Sequence, residues 1–257
     1  MLDPALRRRL SDMARGKAAP RPQTPLAPTD APHVEPLQLC EFRPCVVSNE
    51  HGEFVTSVAE VSDLHADAQR LLTHFASIGS AMGFDPQRAV FLDLETTGLS
   101  HVPVFLAGIL CQEGTSLRIR QMFARTYAEE KSLLCEVGQA LGECEVVFTF
   151  NGNSFDLPYI RNRAISHLLP INLPQRRLDV FPHARRKWRG RTPDCKLQTL
   201  ETFVCGRSRT GDIPGRLIPE TYHEYVRTGD IAPLLPVFHH NALDLITTLE
   251  LLVDVFG

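Results

Sequence analysis

Two acidic side chains, Asp93 and Glu95, stand one residue apart within the apolar stretch AVFLDLETTGLS of residues 89–100. In a β-strand, residues i and i+2 lie on the same face, so both carboxylates would point to one side. Like charges side by side repel each other and raise each other's pKa. A partly buried pair of this kind therefore indicates a cation site beside a strand.

Two further acids lie in stretches that are otherwise apolar or small, Asp156 in FNGNSFD and Asp244 in HHNALDL. Sets of ligands made only of oxygen select hard cations such as Mg²⁺ or Mn²⁺. Four carboxylates suit two such ions about 3.5–4 Å apart, the arrangement used for in-line attack on phosphorus. Taken singly, each acid has a simpler explanation. The Asp-x-Glu pair could be a solvated strand edge, Asp156 a helix cap, and Asp244 a surface residue.

The order of these motifs resembles a known group of enzymes. DLETTG, FNGNSFD and HNALD are similar to the three motifs of the DEDD 3′→5′ exonucleases, which have a ribonuclease-H-like fold. LDVFPHARRKW, TLETFV and DIPGRLIPETYHEYV resemble the YprB-type family of ribonuclease-H-like proteins, and the resemblance covers roughly residues 85–257. It implies that the four acids bind two Mg²⁺ or Mn²⁺ ions. It also implies substrate contacts along the cleft, from Thr96, Gly98, Leu99, Asn151 and Phe155.

The general base has two candidates in the sequence. DEDD enzymes place a histidine five residues, or a tyrosine four residues, before the last aspartate, and this chain has His239 and His240 at those positions. Residues i and i+4 share one face of a helix, which puts His240 beside Asp244. A histidine of near-neutral pKa can take a proton from the attacking water. We favour His240 and keep His239 as the alternative.

The pattern of apolar residues predicts the elements that must position these groups. Strands are predicted at 89–95, 102–111, 116–124, 145–150 and 176–182, and helices at 63–80, at 127–142, from about Phe155 and at 242–256. A three-strand meander followed by alternating helices and strands predicts an α/β fold, with a mixed sheet and helices on both faces. We expect three regions: a flexible basic and proline-rich tail (1–36), a small strand–helix extension (37–84) and the ribonuclease-H-like domain (85–257).

A strongly basic run, RRLDVFPHARRKWRGR, occupies residues 176–191 and contains a single acid, Asp179. Such runs are usually solvated faces of a protein. Next to an acidic metal site, this one could hold a phosphate backbone through Arg186 and Lys187, while Trp188 offers a plane for base stacking. Asp179 could orient the segment rather than bind metal.

Composition sets broader limits. The chain has 257 residues, of which 43% are hydrophobic and 22% charged, with a formal net charge of −3. These values are typical of a soluble protein with one sizeable core. The sequence contains no apolar run of the roughly 18–20 residues that span a membrane and no signal peptide. Seven scattered cysteines without CxxC spacing indicate reduced thiols, so we expect a cytoplasmic protein.

Together these features predict a divalent-metal-dependent 3′→5′ exonuclease that hydrolyses phosphodiester bonds at the 3′ end of a nucleic acid. A catalytically silent ribonuclease-H-like module that binds nucleic acid is one alternative. A structure-specific endonuclease on the same fold is another. The choice between DNA and RNA, and between single and double strands, stays open at this point, as do the oligomeric state, the pathway and the role of the tail.

Overall fold

The structure is a computed structural model that describes residues 44–98, 102–209 and 211–257. The predicted tail (1–36), the first residues of the extension (37–43) and Leu99 lie outside the described residues. None of the described helices is both long and apolar enough to cross a membrane.

The described part of the chain contains seven strands: β1 (Cys45–Asn49), β2 (Gly52–Glu60), β3 (Ala89–Thr96), β4 (Val104–Glu113), β5 (Ser116–Phe123), β6 (Val146–Thr149) and β7 (Arg176–Asp179). They form one mixed sheet in the order β1-β2-β5-β4-β3-β6-β7. The pairs from β1 to β3 are antiparallel, whereas β3–β6 and β6–β7 are parallel. The predicted mixed sheet and the meander of β3, β4 and β5 are therefore confirmed.

Helices cover both faces of this sheet, as predicted. Successive side chains of β3 point to opposite faces of the sheet. Ala89 and Phe91 therefore pack with one group of helices, and Val90 and Leu92 pack with the group on the other face. The first group comprises α1 (Ala68–Met82), α4 (Val180–Trp188), α5 (Leu197–Leu200) and α7 (Leu235–Phe256). The second comprises α2 (Glu130–Glu143) and α3 (Asp156–Ser166). The remaining helix, α6 (Ile218–Thr228), packs with the start of α7.

The extension before residue 85 contributes to the same sheet and core. Its hairpin, β1 and β2, pairs with β5 through β2. Its helix α1 buries Leu71 and Phe75 in the cluster that contains α7, and His65 lies 2.8 Å from Glu250 on α7. The extension therefore helps to fix the position of α7, the helix that carries Asp244.

Two boundaries differ from the sequence prediction near the functional residues. The last helix begins at Leu235 rather than 242, so it includes both histidines. The strand predicted at 176–182 ends at Asp179, where the side chain accepts a hydrogen bond from Phe181 N at 3.0 Å and caps α4. A capping aspartate satisfies one of the free N–H groups at the start of a helix, and proline is tolerated in its first turn. A helix therefore begins at Val180, where the apolar residues alone predicted that the strand would continue.

A buried carboxylate joins the second helical layer to the sheet. Glu130, 1% exposed, accepts hydrogen bonds from Val104 N at 2.9 Å and from Arg163 on α3 at 2.5 Å. His167 lies 2.7 Å from the same group. Burial alone would raise the pKa of Glu130, but these partners hold it below its usual value. Glu130 therefore sets the position of α3, whose first residue is Asp156.

Replacing Glu130 by glutamine tests this link. A lowered pKa in the folded state means that the ionised carboxylate stabilises the fold above the unfolded-state pKa, and that this contribution is lost as pH falls through the folded pKa. We expect E130Q to lower the free energy of unfolding by on the order of 3 kcal/mol at pH 7, and by less at pH 4, in urea titrations. The matched control E143Q changes an exposed residue of the same helix and should cost under about 0.5 kcal/mol. Equal losses in the two variants would contradict this role.

Candidate metal centre and cleft

The first two acids lie at the end of β3, on the face that α7 covers. Asp93 and Glu95 have the same parity along the strand as Ala89 and Phe91, which pack in the α7 layer. The pairing of β3 with β4 shifts register between Glu95 and Thr96. Such bulges bend a strand and redirect its side chains, and they are common beside functional sites.

Asp156 reaches the same place from the neighbouring strand. β6 pairs with β3 only as far as Phe91. Beyond that point the Asp156 carboxylate accepts a hydrogen bond from the backbone of Leu94. Asp156 is the first residue of α3 and 6% exposed. The end of β6 thus leaves room for an acid beside the end of β3.

Asp179 holds the loop that presents Asp156. Its carboxylate accepts hydrogen bonds from Asn151 N at 2.7 Å and Asn153 N at 3.2 Å, in addition to the capping bond from Phe181. Asn151 has a φ of 64°, a left-handed conformation that asparagine tolerates better than most residues. These contacts occupy Asp179 with backbone donors, which agrees with the hypothesis that it orients the segment.

A row of residues across the sheet fixes the direction of Asp93. Asp93 pairs with Gly108 on β4, and Gly108 pairs with Gln121 on β5. Asn241 of α7 lies over this row, where its Nδ2 donates to Asp93 Oδ2 at 2.8 Å and its Oδ1 accepts from Gln121 Nε2 at 2.9 Å. A Cβ at Gly108 would lie 2.1 Å from Asn241 Oδ1. Glycine is therefore required for this close approach of α7 to the sheet.

Asp244, one turn further along α7 than Asn241, has two cationic neighbours. Arg209 Nη2 donates to Asp244 Oδ1 at 2.5 Å. His240 Nε2 lies 3.6 Å from Asp244 Oδ2, and its other nitrogen, Nδ1, lies 2.9 Å from Asp212 Oδ1. His240 therefore lies between the carboxylates of Asp212 and Asp244. The i, i+4 spacing predicted its place beside Asp244, whereas the contact with Asp212 was not predicted.

The other candidate base has a different environment. His239 Nδ1 is buried and has no hydrogen-bond partner among the described residues. Burial lowers the pKa of His239. Burial would also lower the pKa of His240, but the hydrogen bond with Asp212 and the charges of Asp244 and Glu95 raise it to about 9. Of the two histidines, His240 is the one in contact with the last acid of the set.

Electrostatics couple the acids strongly. Burial raises the pKa of Asp93 well above its ordinary value, and the charges of Asp244, Glu95 and Asp156 add to the effect. Burial likewise raises the pKa of Glu95 to about 8, even though the charge of His240 opposes the shift. The pKa of Asp156 is raised to about 7, mainly by burial. Three carboxylates are therefore held where their ionised forms are unfavourable.

The donor chemistry of this set suits a divalent cation. Ion pairs among the described residues reach only Asp244 of the four acids. Desolvated carboxylates without a cation cost free energy, and carboxylate oxygens are the ligands that Mg²⁺ and Mn²⁺ prefer. The assignment of Asp93, Glu95, Asp156 and Asp244 as ligands of such ions stays a prediction.

A cleft of about 570 Å³ opens beside Asp93 and Asp244. Phe181, Arg185 and Arg189 line it from α4 and the residue that follows this helix, at the four-residue spacing of one helical face. The cleft is also lined by Phe150, Asn151, Gly190, Thr192, Pro193, Asp194, Cys195, Lys196 and Leu197. The lining thus combines two of the four acids, two aromatic rings and three basic side chains.

The residues that resemblance assigned to substrate fall in different places. Asn151 lines the cleft. Thr96, the last residue of β3, donates through Oγ1 to Gly98 O at 2.6 Å, just after the strand. Phe155 is outside the lining and packs against Tyr159, with ring centroids 5.2 Å apart. The substrate contacts of Thr96, Gly98, Asn151 and Phe155 stay predictions, and Leu99 lies outside the described residues.

The predicted contacts from the basic run need correction. Trp188 is 3% exposed and belongs to the hydrophobic core, so its ring offers no plane for stacking. Lys187 donates to the backbone oxygen of Asp254, and Arg186 Nη2 lies 3.0 Å from His183. Neither lines the cleft, because α4 presents Val180, Ala184 and Trp188 to the core and turns the next face toward the acids.

Several functional candidates escaped the sequence analysis. Asn241 stands within the quoted HNALD motif, and Asp212 begins DIPGR, so both had a signal in the sequence. Arg209 and Gln121 had none, because their contacts join positions distant along the chain. Phe181, Arg185 and Arg189 could have been found by applying a helical period to the basic run.

Replacing Asp93 by asparagine tests the electrostatic repulsion among the four acids. A carboxylate whose folded pKa is raised contributes stability that is present below the unfolded pKa and lost as pH rises through the folded value. At pH 8 in EDTA, we therefore expect D93N to melt above the wild type, by about 2–4 °C for each kcal/mol of relieved repulsion. Mn²⁺ should then raise the melting temperature of the wild type more than that of D93N.

Calorimetry or a dye-based thermal melt measures both effects. D63N is the matched control, since it removes the same charge from an exposed residue of the extension and should leave both melting temperatures unchanged. A D93N protein that melts below the wild type in EDTA would contradict the repulsion.

Comparisons with known proteins agree with the fold. The protein YprB of Bacillus subtilis (strain 168) is 26% identical over 244 residues, which make up 88% of this chain and 58% of YprB. The family B DNA polymerase of the hyperthermophilic archaeon Pyrobaculum calidifontis superposes with a TM-score of 0.53 at 17% identity, over 67% of this chain and 25% of that chain, a likeness of fold alone. The predicted resemblance to YprB-type ribonuclease-H-like proteins is confirmed. Because the RNase_H superfamily model matches residues 90–255, more than half of the sequence, the chain belongs to the RNase_H superfamily.

Proposed function

We propose that this protein is a divalent-metal-dependent nuclease that removes nucleotides from the 3′ end of a nucleic acid. The observation that carries the proposal is the group of four acids on β3, α3 and α7, three of which have raised pKa values. Such a group is costly without cations, and it opens onto a cleft with basic and aromatic walls. Nuclease chemistry accounts for both features together.

The proposed reaction is hydrolysis of a phosphodiester bond. Two divalent ions, when bound, lower the pKa of a water molecule and offset negative charge at the scissile phosphate. The water oxygen bonds to phosphorus, the bond from phosphorus to the 3′ oxygen of the preceding nucleotide breaks, and that oxygen takes a proton from solvent. The products are a nucleoside 5′-monophosphate and a strand shortened by one residue, with a 3′ hydroxyl.

His240 is the proposed general base. Its Nδ1 faces Asp212 at 2.9 Å, a contact that fixes the ring and favours a proton on Nδ1. Nε2 then faces the acids, near Asp244, where it can accept the proton of the attacking water. The hydrogen bond with Asp212 and the charges of Asp244, Glu95 and Asp212 raise the pKa of His240. Bound cations would offset the charges of Asp244 and Glu95 among these.

The cleft walls suggest how the strand is held. Arg185, Arg189 and Lys196 provide positive charge along one side, and Phe150 and Phe181 pack at a ring distance of 5.4 Å. Backbone charge and aromatic stacking are how proteins hold single strands without reading sequence. We therefore propose a single-stranded 3′ end as the preferred substrate, with DNA and RNA to be compared directly.

A cleavage assay tests the activity. Single- and double-stranded DNA and RNA with a 5′ label are incubated with Mn²⁺ or with EDTA. We expect a ladder that shortens from the 3′ end in Mn²⁺ only, and activity at the assay background for D93N and D244N, each of which loses one anionic ligand. D63N, with the same loss of charge, should retain full activity.

A circular single strand separates the alternatives. An exonuclease leaves the circle intact, whereas a structure-specific endonuclease on this fold would open it. Wild-type protein that binds the linear strand and cleaves none of the substrates in Mn²⁺ or Mg²⁺ would favour the silent binding module. Cleavage by D93N or D244N at the wild-type rate would refute the proposed site.

Binding measurements test the cleft wall with a matched pair of double variants. R185A/R189A removes two lining charges, whereas R186A/K187A removes two neighbouring charges outside the lining. In EDTA, we expect R185A/R189A to reduce the slope of log K against log salt by about 1.4 for single-stranded substrate, at roughly 0.7 per lost contact. R186A/K187A should leave the slope unchanged, and an equal loss in both variants would contradict this assignment.

A further inference from the structure

A buried arginine joins the metal centre to the segment before α6. Arg209 is 6% exposed at its side chain. It donates to Asp244 Oδ1 at 2.5 Å and to Glu201 Oε2 at 2.5 Å. A third contact reaches Asp212 Oδ2 at 3.3 Å. The guanidinium therefore bridges three carboxylates, of which one is a candidate metal ligand and another contacts His240.

The chain path explains how Arg209 reaches this position. After α5, residues Glu201–Cys205 form a π-helical turn that ends at Gly206, which has a left-handed conformation with a φ of 69°. Turns of this kind are rare and often mark functional sites. Glu201 is 1% exposed and accepts from both Arg207 and Arg209, each at 2.5 Å. The turn therefore anchors two arginines on one carboxylate.

The two arginines then diverge. Arg207 donates to Thr247 Oγ1 at 2.8 Å and Glu250 Oε2 at 2.6 Å on α7, and neither partner belongs to the acid set. Its side chain is 5% exposed, close to the value for Arg209. Arg207 thus matches Arg209 in type, burial and shared anchor, but differs in whether it touches the metal centre.

Arg209 fixes which way Asp244 points. Its contact occupies Oδ1, while Oδ2 faces His240 Nε2 at 3.6 Å. Partners that hydrogen-bond to a metal-binding carboxylate set its direction, and their loss typically costs about 10–100-fold in metal affinity. Through Asp212, the same guanidinium also supports the residue that faces His240 Nδ1.

We propose that Arg209 is a positioning residue of the metal centre, which holds Asp244 by one oxygen so that the other is available to the cation. The inference rests on the proposed function, because it takes the four acids to be the metal site. A competing hypothesis predicts the opposite change in cation affinity when Arg209 is removed. If Arg209 acted only as a competing positive charge, its removal would strengthen cation binding.

Direct Mn²⁺ binding, by calorimetry or electron paramagnetic resonance, decides between these effects without any need for activity. We expect R209Q to bind Mn²⁺ about 10–100-fold more weakly than wild type. R207Q breaks a comparable buried ion pair, so its melting temperature in EDTA should fall, yet its Mn²⁺ affinity should stay within a factor of about two of wild type.

The variant R209K keeps the charge but loses the fork of donors, and we expect an intermediate Mn²⁺ affinity. If R209Q does not fold, R209K compared with R207K gives the same test, with the weaker binding expected in R209K alone. Equal or tighter Mn²⁺ binding in the Arg209 variant would overturn the proposal. An equal loss in the Arg207 variant would also overturn it, because the effect would then be structural.

The wild-type protein separates this inference from the proposed function. Wild type that binds Mn²⁺ and cleaves, with unaltered binding in the Arg209 variant, would refute the positioning role alone. Wild type that binds Mn²⁺ and does not cleave would refute the proposed nuclease, while the binding comparison would still decide the role of Arg209. Wild type that binds no Mn²⁺ would overturn both.

Discussion

The approach of α7 to the sheet at Gly108 determines where the functional groups lie. Gly108 is the central position of the row that also contains Asp93 and Gln121. Because Gly108 has no side chain, Asn241 fits over the row and forms hydrogen bonds with Asp93 and Gln121. Asn241 in turn fixes the helical phase of α7, which places His240 and Asp244 toward the end of β3. A larger residue at this one position would separate the helix from the strand that carries two of the four acids.

The same packing makes the acid set energetically unfavourable without a cation. Bringing Asp93, Glu95 and Asp156 together with Asp244 desolvates the carboxylates, and the three raised pKa values are the electrostatic consequence. The rest of the fold offsets this cost through fixed partners. Asn241 donates to Asp93, the backbone of Leu94 donates to Asp156, and Arg209 donates to Asp244. Strain of this kind at a functional site is maintained only when the surrounding structure is stable.

The sequence predicted the fold and the acid set more completely than it predicted the cleft. Apolar alternation and motif order were enough for the mixed sheet, the meander and the helices on both faces. The strand prediction failed at Asp179, because the side chain of Asp179 caps a helix there. The strand therefore ends although the next residues, Val180 and Phe181, are apolar. The assignment of Trp188 to base stacking failed for a related reason. Once residues 180–188 form a helix, Val180, Ala184 and Trp188 share its buried face, whereas Phe181, Arg185 and Arg189 share the next.

Contacts between distant segments could not be predicted from the sequence alone, and they connect the acids to the extension. His65 in the extension contacts Glu250, Glu250 accepts from Arg207, and Glu201 joins Arg207 to Arg209. Arg209 ends this chain of ion pairs at Asp244. Each link is side chain to side chain, so neither periodicity nor composition reveals it. The extension is tied to the fold by this series of contacts, since His65 shares Glu250 with Arg207 on the helix that carries the last acid.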